Sequence, residues 1–139
     1  MKKTLFVFTD GGARGNPGPA AIGFVIRDYQ GKVLAEMGKF IGRATNNVAE
    51  YQAIIEALNW IKKNIATKKT IQLIKVFLDS KLAANQLNGF FKIKNSHLRN
   101  LVVEVRILER ELGGKISYHF IPREKNQQAD NLVNKILSS

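Results

Sequence analysis

Apolar residues along this chain follow two spacings. Residues 4–10, "TLFVFTD", are apolar on both alternating faces, the pattern of a central strand covered on both sides. Residues 20–28, "AAIGFVIRD", repeat it, and Tyr29-Gln30-Gly31-Lys32 reads as a hairpin turn into a third strand over 32–41. From Asn46 the step changes. Ile54, Leu58, Ile61 and Ile65 recur three and four residues apart, which predicts an amphipathic helix from 45 to about 65 with Thr45 as N-cap and Trp60 in the core. Residues 70–79 return to strand, and 80–89 form a short helix stopped by Gly89. "FFKIKN" is a basic, aromatic connection. Leu98, Leu101, Val102, Val105, Leu108 and Leu112 mark a third helix ended by Gly113-Gly114. A strand over 115–121 is closed by Pro122, and a last helix covers 127–137.

Hairpins between the first three strands require antiparallel pairing, and the later helical crossovers require parallel pairing. The chain is therefore expected to be α/β, a mixed sheet with helices packed on it. No repeat, low-complexity tract or linker interrupts residues 1–139, so one domain is expected.

Charge adds the first hint of a partner. Twenty-two Lys and Arg against eleven Asp and Glu give a net charge of +11, which favours a polyanion, most often nucleic acid. A lysine-rich surface shaped by genome composition or growth temperature would give the same number. The chain has no cysteine, which excludes disulfides and thiolate metal sites and suits the cytoplasm. No apolar run approaches the ~20 residues of a membrane span, so no membrane partner is expected. "MKKTLFVFTDGG" begins like a signal peptide, but its apolar part is short and runs into Asp10, so it reads as the first strand.

Four carboxylates stand out by context. Asp10 and Asp79 are expected at the carboxyl ends of two apolar strands, where sites of α/β sheets form. If those strands are parallel neighbours, the two acids lie close and a cation would stabilise both. Taken alone, each is equally a turn residue or a helix cap. Glu50 falls beside the buried stripe of the first helix, where a carboxylate needs a partner, although the helix dipole also favours it there. Asp130 lies in the first turn of the last helix. Glu56 has no accompanying motif, and His97 and His119 stand outside the set. An oxygen-only set suits Mg²⁺ or Mn²⁺ rather than zinc. Two such ions about 4 Å apart clamp the attacking and leaving oxygens of a phosphodiester.

These residues sit in motifs that resemble the type 1 ribonuclease H family. The stretches "TDGGARGNPGP", "TNNVAEYQAIIEAL", "LDSKLAANQLNG" and "NQQAD" match it in order, spacing and context over nearly the whole chain. The resemblance implies a five-stranded sheet of order 3-2-1-4-5, its first three strands antiparallel, with helices on both faces. It implies endonucleolytic hydrolysis of the RNA strand of RNA–DNA hybrids with 5′-phosphate and 3′-hydroxyl products. Asp10, Glu50, Asp79 and Asp130 become the catalytic and metal-binding residues for two Mg²⁺ ions, with Mn²⁺ as a possible substitute. By the same analogy Asp10 bridges the ions, Asp130 serves the one that activates water, and Glu50 and Asp79 serve the one at the leaving oxygen. Gly11, Gly12, Asn16, Asn46, Asn47, Lys81, Lys92, Lys94, Arg123 and Asn126 become substrate-binding candidates. A monomer is expected.

Departures from the family pattern are as informative. Lys81 follows Asp79-Ser80 where many relatives have glutamine, and a lysine cannot accept a hydrogen bond there. The loop before Asp130, "FIPREKNQQAD", is short and has no histidine, as in the archaeal-like branch, which leaves Arg123 or Glu124 as stand-ins. The basic handle of some relatives is reduced to "NGFFKIKNSHLR", in which Phe90, Phe91, Lys92, Lys94 and Arg99 are either a nucleic-acid surface or core phenylalanines with solvated lysines. No hybrid-binding domain is expected before Met1, so the grip on substrate falls to this domain or a partner. A catalytically silent hybrid reader, or a resolvase- or transposase-like nuclease, are the competing readings.

Overall fold

A computed structural model describes residues 3–65 and 71–138. Its elements are β1 (Lys3–Ala13), β2 (Gly18–Arg27), β3 (Val33–Ala44), α1 (Asn46–Asn64), β4 (Ile71–Leu78), α2 (Lys81–Leu87), α3 (Ser96–Glu111), β5 (Ile116–Phe120) and α4 (Gln127–Leu137), with a 3₁₀ turn at Arg123–Lys125 before α4. Thr70, the expected first residue of the fourth strand, lies outside the described residues. The strands form one sheet in the order β3-β2-β1-β4-β5. β1 pairs antiparallel with β2 and β2 with β3, whereas β4 runs parallel to β1 and β5 to β4.

Alternation along β1 divides the sheet into two faces. Leu5 and Val7 join Phe24, Ile26, Val76 and Leu78 beneath Ile54, Leu58 and Ile61 of α1, and Leu101 and Val105 of α3 complete this core. α4 covers β1, β2 and β3 from the opposite face, so helices lie on both sides. That helix comes very close. A Cβ at Gly23 would sit 2.6 Å from the Ala129 carbonyl oxygen and 2.9 Å from Leu132 Cβ. Glycine there lets α4 approach near enough to hold Asp130 beside β1.

Local signals account for the ends. Thr45 caps α1, its Oγ1 accepting from the Val48 N–H at 3.2 Å. In the β2–β3 turn the Asp28 carboxylate accepts from the Gln30 and Lys32 amides, both at 2.9 Å. Trp60 is only half-buried against the core, and Phe90 and Phe91 are 73% and 51% exposed, so neither phenylalanine is a core residue.

β1 corrects one expectation. The strand does not end at Asp10 but continues to Ala13, pairing Gly11, Gly12 and Ala13 with Ile22, Ala21 and Ala20. Its parallel partner stops earlier, at Thr9 opposite Leu78. Asp10 therefore stands where β4 leaves the sheet, and Asp79 is the next residue of the departing chain.

Candidate active site

Four elements converge at that point. β1 supplies Asp10, Asp79 directly follows the end of β4, α1 supplies Glu50 just past its first turn, and the first turn of α4 supplies Asp130. Carboxylate oxygens of Asp10, Glu50 and Asp79 lie within 4.8 Å of one another. α1 reaches β1 because Gly11 has no side chain: a Cβ there would fall 2.2 Å from the Ala49 carbonyl carbon. The same approach brings the Gly11 N–H to 3.4 Å from Glu50 Oε1. We expect Gly11→Ala to cost about 3 kcal/mol through overpacking against rigid backbone. A urea midpoint unchanged from wild type would show that α1 can retreat freely.

The electrostatics are those of a site built for a cation. Burial, then the neighbouring Asp79 and Asp130, push the Asp10 carboxyl up to about 8. Burial and the charges of Asp10 and Asp79 hold Glu50 well above the usual carboxylate range. Burial also raises Asp79, opposed by a hydrogen bond from Asn126 and the charge of Arg123. Glu50 Oε2 is buried with no hydrogen-bond partner. Among the described residues no lysine or arginine forms an ion pair with any of the four acids. An orphaned buried carboxylate oxygen inside a cluster of hard oxygen donors fits Mg²⁺ or Mn²⁺.

The acids open into a cleft of ≈ 380 Å³ that also touches Gly11, Gly12, Arg14, Asn46, Asn47, Ser80, Arg123 and Asn134. A second groove of ≈ 450 Å³ shares Asn46, Asn47 and Ser80 and adds Asn16 and Asn95. The two hollows adjoin at those three shared residues, the second lined also by Leu82 and Leu98. There, Asn46 Oδ1 accepts from the Ala13 N–H and Asn16 Oδ1 accepts from the Asn46 N–H, each at 2.9 Å. These bonds tie the glycine loop to the start of α1. They occupy the oxygens of both side chains and leave their Nδ2 groups without a partner among the described residues.

The other candidates divide. Arg123 borders the cleft, whereas Glu124 lines a separate hollow with Phe8 and Arg27. Lys81, Lys92 and Lys94 are exposed and outside both clefts. His119 stacks on Phe77, ring centres 5.2 Å apart, and lines neither cleft. Asn126 corrects the sequence reading. It is 1% exposed, and its amide donates inward to the Thr9 carbonyl oxygen and Asp79 Oδ2 rather than standing out from the surface. Arg14, Ser80, Asn95 and Asn134 were not singled out in the sequence. Asn134 follows Asp130 by one helical turn and donates to its Oδ2 at 3.3 Å, a spacing that could have identified it.

Comparison with known proteins places this geometry. A family model described as "Reverse transcriptase-like" matches residues 8–136. The bifunctional protein Rv2228c of Mycobacterium tuberculosis (strain ATCC 25618 / H37Rv) is 42% identical over 137 residues, covering 97% of this chain and 36% of that protein. Ribonuclease HI of Halobacterium salinarum is 40% identical over 133 residues, covering 96% of this chain and 64% of that protein. The chain thus spans about a third of the first relative's length and just under two thirds of the second's. LC11-RNase H1, solved in complex with an RNA/DNA hybrid, superposes with a TM-score of 0.89 at 41% identity, covering 94% of each chain.

Proposed function

Because the chain belongs to the type 1 ribonuclease H family, we propose that it is an endonuclease that hydrolyses the RNA strand of RNA–DNA hybrids, leaving 5′-phosphate and 3′-hydroxyl ends. The observation that carries this is the carboxylate cluster of Asp10, Glu50 and Asp79, within 4.8 Å, at the floor of an asparagine-lined cleft. The hybrid bound by a relative of 41% identity supports the substrate class.

Asp10, Glu50, Asp79 and Asp130 would hold two divalent ions, Mg²⁺ with Mn²⁺ as substitute, which when bound supply Lewis acidity and lower the pKa of water. The chain does the rest. β1 and the two helix starts fix the acids before substrate arrives, so little reorganisation is needed on binding. Arg123 and Arg14, both lining the cleft, offer positive charge to phosphates. Asn16 and Asn46, with their oxygens engaged, act as donors toward minor-groove acceptors and 2′-hydroxyl oxygens, and Asn47 extends the row. A hybrid presents both kinds of acceptor in a wide, shallow groove, with 2′-hydroxyls on one strand only. Lys81, Lys92, Lys94 and the exposed Phe90 and Phe91 grip the nucleic acid beyond the cleft. We read the 139 residues as one domain acting as a monomer in the cytoplasm. Among the described residues no helix is long and apolar enough to cross a membrane.

Labelled hybrid, single-stranded RNA and duplex DNA, each with and without Mg²⁺ or Mn²⁺, test the reading. Metal-dependent cutting confined to the RNA of the hybrid is expected. Tight hybrid binding with no cutting in either metal would make the chain a silent reader instead. Affinity should fall about 100-fold between roughly 50 and 200 mM salt, the slope for about four phosphate contacts. A flat response would remove the basic surface from substrate binding.

A further inference from the structure

We propose that Asn126 is the positioning residue of this site, locking Asp79 and Asp130 to the strand that carries Asp10 so that the acids form one preformed metal-binding unit. The proposal rests on the functional reading of the carboxylates given above. It assigns Asn126 a role other than contact with nucleic acid.

Asn126 joins three elements through one residue. Its Nδ2 donates to the Thr9 carbonyl oxygen at 2.8 Å and to Asp79 Oδ2 at 3.3 Å. Its backbone carbonyl oxygen accepts from the Asp130 N–H at 3.0 Å, the first i→i+4 bond of α4, while its side-chain Oδ1 is buried without a partner. Thr9 is the residue before Asp10. One side chain and its backbone therefore touch the chain beside Asp10, the carboxylate of Asp79 and the amide of Asp130.

The ordinary role for an asparagine in this place is to cap its own helix. Asn126 precedes α4, yet its side chain makes no cap bond to that helix. It reaches across to β1 and to Asp79, just past β4, instead. Two acceptors on the same side fix the amide's orientation, because the flipped side chain would set oxygen against oxygen. Only a side chain with two N–H groups at this length serves both acceptors. A leucine would fill the space and donate nothing. At 1% exposure it presents almost no surface to a docked duplex.

Groups that orient metal ligands without touching the ion are typically worth ~10–100-fold in metal affinity or activity. Asn126→Ala and the similarly branched Asn126→Leu are therefore expected to weaken Mn²⁺ binding to substrate-free protein, measured calorimetrically, by about that factor. Hybrid affinity in metal-free buffer should stay within about twofold, and kcat should fall while KM for hybrid holds. Unchanged Mn²⁺ affinity with about tenfold weaker hybrid binding would make Asn126 a substrate contact and overturn the proposal. Unchanged Mn²⁺ affinity with only a lower Tm would reduce it to packing. If neither variant folds, the wild-type Asn126 side-chain amide can be followed by NMR. Slow exchange and a shift that saturates with Mg²⁺ are expected, and a freely exchanging amide indifferent to Mg²⁺ would sink the idea. A wild-type protein that binds Mn²⁺ but leaves hybrids intact would fail the functional reading alone.

Discussion

Asp10→Asn is expected to lower hybrid cleavage by about 10³-fold or more while leaving hybrid affinity nearly intact. Asp10 stands at the centre of the cluster, close enough to Asp79 and Asp130 for both to raise its pKa. The amide keeps its shape but loses the charge that would draw a metal. The same variant should be more stable than wild type without metal. Wild-type Asp10, with its carboxyl raised from 3.8 to about 8, must retain a proton near neutrality that the unfolded chain releases. Relieving that penalty should add about 4–5 kcal/mol near pH 7.5, or roughly 15 °C in Tm. Full activity at saturating Mg²⁺ would remove Asp10 from the mechanism. Lower stability in EDTA would show that its burial is not a cost.

Metal-free wild-type protein should lose stability as pH rises, and divalent metal should restore it. The folded-state pKa of Asp10 lies above the unfolded value, so its contribution is fully present below about pH 3.8 and is lost as pH rises through about 8. Glu50 and Asp79 shift in the same direction and reinforce the trend. Asp10 alone accounts for about 4 kcal/mol between roughly pH 5 and 8. A divalent ion competes with those protons, so Mg²⁺ should raise Tm only slightly near pH 5 and strongly near pH 8.5. Thermal scans in EDTA and in saturating Mg²⁺ across that range check this. Equal metal increments at both ends would mean that the acids are ionised regardless of metal.

Much of the fold could be read locally. The switch from the two-face apolar run of β1 to the three- and four-residue steps of Ile54, Leu58 and Ile61 located strand and helix. Thr45 marked the start of α1 to the residue. Such signals were legible because capping and periodicity depend on neighbours in sequence. The overrun of β1 past Asp10 was not, because it depends on pairing with Ala20, Ala21 and Ile22 in another strand. Phe90 and Phe91 resisted for a related reason. A short aromatic pair carries no period, so only the surrounding surface decides whether it is covered.

The candidate site divides along the same line. By itself the sequence determined the four carboxylates, their motifs, the family they resemble and the excess of positive charge. Each of these is a matter of residue type and spacing. Only the tertiary structure decided that Asp10, Glu50 and Asp79 meet within 4.8 Å and that Asn16 and Asn46 engage their oxygens in the glycine loop. It also decided that Asn126 turns inward rather than toward solvent. Those facts depend on the register of parallel strands and on how closely α1 and α4 approach at Gly11 and Gly23. Such distances arise between residues far apart in the chain, where no local pattern records them.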